Sequence, residues 1–187
     1  DHANHGIVYN SGYSEVITSR NRSHTLNARD IHAHADSGHD TYDDSRAHGG
    51  HAVYLAGGPV AHSSKKLAIV TDSTLYSEYV QLHACAREVE TIWNFLRELG
   101  DITDFLTQQP VSVFCDNDNA TGTAMGTKRN TASRHIAVKY HYTKQLVKQG
   151  IIAVHRVPTT DNRADLFTKP PPKPQFVIIF LFSTKYS

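Results

Sequence analysis

One apolar stripe constrains the fold of this chain more than any other feature of its sequence. Apolar residues recur at alternating spacings of four and three from Leu75 to Leu96, which is the repeat of one helix face. Asp72 or Ser73 is a suitable N-cap, and Gly100 is a suitable end. The sequence therefore predicts a long amphipathic helix whose apolar face must be covered by a sheet or by another helix.

Strand patterns precede this helix, and strands and helices alternate after it. The three earlier strands are predicted to be antiparallel, with a turn at Gly57-Gly58, and they cover residues 31–36, 51–56 and 59–64. The later elements are a strand over 111–116, a small helix over 119–125, a helix over 133–148, a strand over 151–157 and a short helix over 162–168. This order predicts an α/β fold with a mixed five-stranded sheet, in which parallel strands are added to three antiparallel ones, and with helices on both faces.

The composition fits one domain and sets no global charge. The chain has 187 residues, of which 39% are hydrophobic, and its formal net charge is +1. A nucleic-acid partner would therefore have to meet a local basic surface. The two cysteines, Cys85 and Cys115, lack the spacing of a metal site or a disulfide framework, which fits a reducing compartment. The apolar run over 176–182 is far shorter than the roughly 20 residues that cross a bilayer, so no membrane span is predicted.

Four acidic residues stand where carboxylates from different elements can converge. Asp36 lies on the first main strand, Glu78 in the first turns of the long helix, Asp116 at the end of a buried strand and Asp165 in the last short helix. Glu78 precedes Tyr79 of the apolar stripe, so its side chain can point along the sheet towards Asp36. Convergent carboxylates are what Mg²⁺-dependent phosphodiester hydrolysis requires. Taken singly, each acid also fits a turn, a cap or a solvated surface position, so the prediction rests on the four together.

Several short strings in a fixed order resemble the RNase H domains of copia-type LTR-retrotransposon Pol polyproteins. The resemblance covers residues 31–172 and, lightly, residues 5–9. The strings that carry it are Ala35-Asp36-Ser37, Gly57 to Lys66, Ser73 to Tyr79, Phe114 to Asn117, Arg134-His135-Ile136 with Tyr140-His141, Val157-Pro158-Thr159 and Ala164 to Pro170.

The resemblance implies an RNase H-like fold and an endonuclease that hydrolyses the RNA strand of RNA/DNA hybrids during reverse transcription. It implies two Mg²⁺ ions, which Mn²⁺ can replace, bound by the four acids that also form the catalytic set. Asp36 would bridge both ions, Glu78 and Asp116 would complete one site, and Asp165 would complete the other. One ion would activate the attacking water, and the other would stabilise the leaving 3′ oxygen.

The resemblance also implies a domain plan and partners. Residues 1–30 would be a linker or the tail of a preceding polymerase segment, 31–172 the RNase H-like domain, and 173–187 a C-terminal tail, either intact or altered by truncation or frameshift. The chain begins without Met, as a segment of a longer polypeptide would. Its partners would be an RNA/DNA hybrid and the reverse transcriptase domain of the same polyprotein, in a cytoplasmic virus-like particle or in the nucleus. The sequence sets no oligomeric state.

Basic residues along the same region are candidates for contacts with nucleic-acid phosphates. They are Lys65, Lys66, Lys128, Arg129 and Lys139, with Lys144 and Lys148 as weaker candidates because surface lysines are usually only solvated.

Two other functions stay open at this point. A catalytically inactive RNase H-like module, from a decayed or domesticated element, would bind nucleic acid or protein. Gly38-His39 near Asp36 and the loss of the family pattern after Phe176 favour this alternative, and Tyr76 is a further departure from the family pattern. An integrase-like or resolvase-like nuclease of the same superfamily would share the chemistry but not the strings. His32 and His34 share one strand face and could bind Zn²⁺ with His48 and His51, although ordinary surface histidines are the favoured interpretation.

Overall fold

The computed structural model describes residues 11–19, 22–38, 46–68, 74–99, 110–127 and 134–168. These residues form a five-stranded sheet, a separate two-stranded hairpin, three α-helices and two short 3₁₀ helices. The strands are β1 (Ser14–Ser19), β2 (Arg22–Asn27), β3 (His32–Gly38), β4 (His48–Leu55), β5 (Gly58–Lys66), β6 (Val111–Cys115) and β7 (Ile152–Arg156). The helices are α1 (Thr74–Glu98), α2 (Asp118–Ala124), α3 (Arg134–Lys148), a 3₁₀ helix at Thr159–Asp161 and a second one at Arg163–Phe167, here named the closing helix.

The main sheet confirms the fold class predicted from the sequence. Its strand order is β5-β4-β3-β6-β7. Strands β3, β4 and β5 are antiparallel neighbours, while β6 pairs in parallel with β3 and β7 in parallel with β6. Strands β4 and β5 are joined by a two-residue turn, whereas each parallel strand follows a helix, as parallel pairing requires.

Helix α1 covers one face of this sheet with the predicted apolar stripe. Tyr79, Leu82, Val89 and Trp93 are buried in one cluster with strand residues that include Ala33. Small side chains on β3 let the helix approach closely, so the large residues of the stripe fill the space between the two layers. The main core therefore lies between α1 and the sheet.

The turn between β4 and β5 differs by one residue from the prediction. Ala56 and Gly57 have φ values of 52° and 77°, while Gly58 already belongs to β5. Positive φ at both central residues is typical of a two-residue type I′ hairpin turn, which matches the twist of the flanking strands. An alanine thus occupies a left-handed position for which the sequence predicts a glycine.

The hairpin β1–β2 packs on the sheet face opposite α1, in a region where the sequence predicts a linker. Ile17 and Leu26 form a buried cluster with Phe114 and Val157. The strand predicted within residues 5–9 lies outside the described residues, and the domain boundaries stay a prediction. The hairpin was missed because its two buried apolar residues stand among Ser, Thr, Asn and Arg, which are typical of loops.

His32 and His34 are fully buried on the hairpin side of β3, so the interpretation as surface histidines is wrong. The His32 ring stacks on Tyr54, and the His34 ring packs on Phe114. Burial lowers the pKa of His32 to about 3 and holds the pKa of His34 well below its ordinary value. Both rings are therefore neutral and act as aromatic packing residues.

The remaining sequence features agree with a packed domain core. Cys85 and Cys115 are both buried and free, as expected of small apolar packing residues. Within the described part of the chain, no helix combines the length and the apolar character that a membrane crossing needs.

Candidate metal centre

The parallel pairing of β3 and β6 brings Asp36 and Asp116 to the same end of the sheet. His34 pairs with Phe114 in this register, and extending the register by two residues sets Asp116 beside Asp36. The next residue, Asn117, caps α2 by accepting backbone N–H bonds at 2.9 and 3.0 Å. Because Asn117 supplies the cap of α2, the Asp116 carboxylate is not needed for capping and can take part in the acidic site.

A buried hydrogen bond between two serines holds the first turns of α1 against β3. Ser37 Oγ donates to Ser77 Oγ at 2.9 Å, and Ser77 Oγ donates in turn to the Thr74 carbonyl oxygen at 2.9 Å. Glu78 follows Ser77 directly, so this bond sets the distance from Glu78 to the strand that carries Asp36. The sequence prediction that Glu78 points towards Asp36 agrees with this geometry.

The three acids form a compact carboxylate group. One oxygen from each of Asp36, Glu78 and Asp116 lies within 4.8 Å of the others. Asp36 and Glu78 are buried and Asp116 is half-buried. Three oxygen ligands at such separations, without any nitrogen or sulfur ligand, suit a hard divalent cation. This group can therefore bind a metal ion.

The surroundings of Glu78 make its anion unfavourable while no cation is bound. Burial, followed by the negative charges of Asp36 and Asp116, raises the pKa of Glu78 to about 9. Hydrogen bonds from Ser37 act in the opposite direction and only partly offset this. A divalent cation between the carboxylates would remove the repulsion, which is an electrostatic reason for this site to take one.

The fourth predicted acid, Asp165, lies on the closing helix and not in the compact group. Among the described residues, the group of mutually close ligand atoms contains only Asp36, Glu78 and Asp116. The closing helix nevertheless reaches the site through Thr168, whose hydroxyl oxygen is 2.6 Å from Asp36 Oδ2 and 2.9 Å from the Asp165 carbonyl oxygen. Asp165 is thus tied to Asp36 through Thr168.

Two features seat the closing helix on β3 and β4. Asn162 is buried, donates to the Ala35 carbonyl oxygen at 3.0 Å and accepts from the Ala164 backbone N–H. Gly50 pairs with Asp36 across the sheet, and a Cβ added there would stand 2.5 Å from the Phe167 Cβ. The glycine is required because the closing helix lies directly on its backbone.

Curated proteins with similar sequences are retrovirus-related Pol polyproteins of transposons. The chain is 33% identical over 168 residues to the one from transposon RE1 of Arabidopsis thaliana, 34% over 146 residues to RE2 of the same plant, and 28% over 134 residues to TNT 1-94 of Nicotiana tabacum. These matches cover 89%, 77% and 72% of the chain. The chain spans 10% of the length of each relative. No protein-family model matches it.

Solved structures with a similar fold are RNase H domains. The N-terminal RNase H domain of a Mycobacterium tuberculosis protein has a TM-score of 0.54 and 19% identity, covering 74% of this chain and 90% of that domain. An RNase H1 solved in complex with an RNA/DNA hybrid has a TM-score of 0.54 and 17% identity, covering 78% of this chain and 99% of that one. The chain is an RNase H-fold relative of transposon Pol polyproteins. The resemblance predicted from the sequence is confirmed.

Only some of the basic residues predicted to contact nucleic-acid phosphates lie within the described part of this RNase H fold. Lys65 and Lys66 are exposed at the end of β5, in register with Ser37 and Gly38 across β4, so they stand two strand spacings, roughly 10 Å, from the strand of Asp36. Lys139 on α3 is half-buried, and its pKa is lowered by burial and by the positive charges of Lys65 and Arg87. Lys128 and Arg129 lie outside the described residues.

Sequence reasoning missed three residues around the site of this RNase H-fold chain. Arg87 on α1 was not among the predicted phosphate contacts, because it lies outside the short strings that resemble the family. Asn162 and Thr168 were within the predicted last helix, but neither had a role. The spacing of Asn162 and Thr168 around Asp165 was visible in the sequence, whereas their partners on β3 are more than 120 residues away and could not be read from it.

Replacing Glu78 by Gln is expected to stabilise the metal-free protein above neutral pH. The pKa of Glu78 is raised on folding from an ordinary value of 4.5 to about 9, so the folded state holds the proton more tightly, and stability falls as pH rises through that window. The slope is at most about 1.4 kcal/mol per pH unit for one proton. Thermal unfolding in EDTA at pH 6 and pH 8.5 should therefore show a larger drop for the wild type than for Glu78→Gln.

The same thermal unfolding measurement with Mg²⁺ in place of EDTA tests whether the three carboxylates bind a cation. Wild-type protein should gain stability from Mg²⁺ more strongly at pH 8.5 than at pH 6, since binding requires the deprotonated carboxyl. Glu88→Gln, further along the same helix and outside the compact carboxylate group, is the matched control, and it should behave as the wild type does. An equal pH dependence in wild type and Glu78→Gln would contradict the raised pKa.

Proposed function

We propose that this chain is a ribonuclease H that hydrolyses the RNA strand of RNA/DNA hybrids during reverse transcription of a retrotransposon. The observation that carries the proposal is the convergence of Asp36, Glu78 and Asp116 within 4.8 Å at one end of an RNase H-fold sheet. A surface acidic cluster would be solvated, whereas Asp36 and Glu78 are buried. Asp36 accepts a hydrogen bond from Thr168, and the Ser37–Ser77 bond holds the turn that carries Glu78 against β3. Such preorganisation is what catalysis by positioned charges needs.

The proposed cofactor is a pair of Mg²⁺ ions, with Mn²⁺ as a substitute. Asp36, Glu78 and Asp116 are the proposed ligands of one ion, and Asp36 with Asp165 the proposed ligands of the other. When bound, the ions would supply an activated water and stabilisation of the leaving 3′ oxygen. The protein's contribution is to hold the carboxylates rigidly on β3, β6 and α1, so that little reorganisation is needed during the reaction.

Choice of substrate would come from the shape of the hybrid and not from base sequence. Recognition of A-form geometry and ribose 2′-hydroxyl groups distinguishes a strand of RNA from one of DNA. We propose Lys65, Lys66, Lys128, Arg129 and Lys139 as contacts for the phosphate backbone. Besides burial, the positive charges of Lys65 and Arg87 lower the pKa of Lys139, so the three side chains are near one another, which supports a local basic surface on a chain whose net charge is only +1.

The proposed context is a Pol polyprotein, in which the reverse transcriptase domain would be the covalent partner of this RNase H domain. Residues 31–172 are the proposed catalytic domain. The proposed place of action is a cytoplasmic virus-like particle or the nucleus.

Replacing Asp116 by Asn should abolish cleavage of a labelled RNA/DNA hybrid. The amide keeps the shape of the side chain but removes the negative charge that a metal ligand needs, so a loss of at least about 100-fold in cleavage rate is expected. Asp118→Asn is the matched control, because Asp118 is an exposed residue two positions further on that pairs with Arg156. Single-stranded RNA and duplex DNA serve as substrate controls, at high protein concentration and low salt.

Hybrid-specific, Mg²⁺-dependent cutting that is lost in Asp116→Asn and kept in Asp118→Asn is the expected result. Absence of cutting by a folded wild-type protein at all concentrations would contradict the proposal and favour a catalytically inactive binding module. Cutting of duplex DNA in preference to the hybrid would favour an integrase-like nuclease.

Removal of Lys139 or Lys65 should weaken hybrid binding in a salt-dependent way. Each phosphate contact contributes about 0.9 to the slope of log affinity against log salt, so Lys139→Ala should reduce that slope by roughly one unit. Fluorescence anisotropy with a labelled hybrid, measured in the Asp116→Asn background to prevent cutting, gives the slope. Arg97→Ala, at the last turn of α1, is the control of equal charge. An unchanged slope for both lysine variants would remove these residues from the proposed interface.

A further inference from the structure

The closing helix is fastened to the rest of the molecule at both of its ends. Asn162, which precedes it, is bonded to β3, and Phe167 near its end accepts a hydrogen bond from Ser64 Oγ on β5 at 2.7 Å. Because the helix has only five residues, it has too little internal hydrogen bonding to keep its position alone. Its position therefore depends on these outside contacts.

Its first residue is also joined to the hairpin that precedes β3. The Arg163 guanidinium forms an ion pair with the Glu15 carboxylate, and Tyr13 donates a hydrogen bond to the same carboxylate. The guanidinium carbon also lies 5.1 Å from the centre of the Tyr54 ring. The pair is partly shielded from water, with 31% and 28% of the two side chains exposed. A shielded pair in a network holds its partners more firmly than an isolated surface pair does.

The residue after the closing helix touches the metal centre. Thr168 is 1% exposed, and its hydroxyl lies 2.6 Å from Asp36 Oδ2. The hydroxyl hydrogen is best placed towards this carboxylate, which is the stronger acceptor compared with the Asp165 carbonyl oxygen at 2.9 Å. A carboxylate has about four lone-pair sites, so Asp36 can accept this bond and still bind a metal ion.

We propose that Thr168 is a positioning residue, which orients the Asp36 carboxylate for metal binding, and that Glu15 of the hairpin supports it by holding the closing helix through Arg163. This inference rests on the proposed metal site. An unheld carboxylate rotates about its last bond, so a fixed hydrogen bond reduces the orientations it samples before a metal binds. Hydrogen bonds to metal ligands commonly change metal affinity by about 10–100-fold.

The test measures Mn²⁺ binding without nucleic acid, by electron paramagnetic resonance of free Mn²⁺, and then the kinetics of hybrid cleavage. Thr168→Val keeps the shape of the side chain and removes the hydroxyl. We expect about 10-fold or greater weakening of Mn²⁺ binding and a lower kcat with an unchanged KM for the hybrid. Thr168→Ser keeps the hydroxyl, so it should restore both values to within a few-fold of the wild type.

Thr143→Val is the matched control. Thr143 is also fully buried and donates its hydroxyl to a backbone carbonyl, at 3.1 Å, but it lies on α3. Its replacement should leave Mn²⁺ binding unchanged, whatever its effect on thermal stability. If Thr168→Val does not fold, Glu15→Gln takes its place, with several-fold weaker Mn²⁺ binding expected, and the exchanged pair Glu15→Arg with Arg163→Glu should recover part of the loss.

The inference is overturned if Thr168→Val binds Mn²⁺ as the wild type does, or if Thr168→Ser is as weak as Thr168→Val. If Glu15→Gln is used instead, a Mn²⁺ affinity equal to that of the wild type overturns the inference. The two proposals fail separately. A wild-type protein that binds Mn²⁺ but cuts no hybrid refutes the proposed function alone, whereas hybrid cleavage with unchanged Mn²⁺ binding in Thr168→Val refutes the role of Thr168 alone.

Discussion

Three carboxylates held within 4.8 Å of one another are the constraint on which the rest of this structure depends. Like charges at that distance repel, and burial of Asp36 and Glu78 weakens the screening that water would provide. The three acids stay close because the strands and the helix that carry them are stabilised by interactions outside the site. The parallel pairing of β3 and β6 sets Asp36 and Asp116, and the apolar stripe of α1 sets Glu78.

The cost of this arrangement is visible at Glu78, whose pKa is raised to about 9. A protein selected only for stability would have no reason to keep a buried acid beside two others, since an amide or an apolar residue would avoid the repulsion. Placement of unfavourable charge at one spot on an otherwise ordinary α/β fold is typical of a functional site. The site's preference for a cation is thus built into the fold before any ligand is considered.

Much of the fold and part of the site could be predicted from the sequence, because they rest on local patterns. The stripe from Leu75 to Leu96 and the strand runs around Asp36 and Asp116 are short-range signals, and the structure agrees with them. The hairpin β1–β2 was missed because only Ile17 and Leu26 mark its buried side. The burial of His32 and His34 was missed because it depends on packing against Tyr54 and Phe114, which lie on other strands. The bond from Thr168 to Asp36 joins residues 132 positions apart. Such pairings become visible only once the topology is known.

The central claim is that Asp36, Glu78 and Asp116 form a divalent-metal centre. A crystal of the protein soaked in Mn²⁺, with anomalous diffraction recorded near the manganese edge, tests it most directly. The account predicts an anomalous peak bonded to oxygens of all three carboxylates, and its disappearance in a crystal of Asp116→Asn. Anomalous density elsewhere on the protein, with none between these three residues at saturating Mn²⁺, would contradict it.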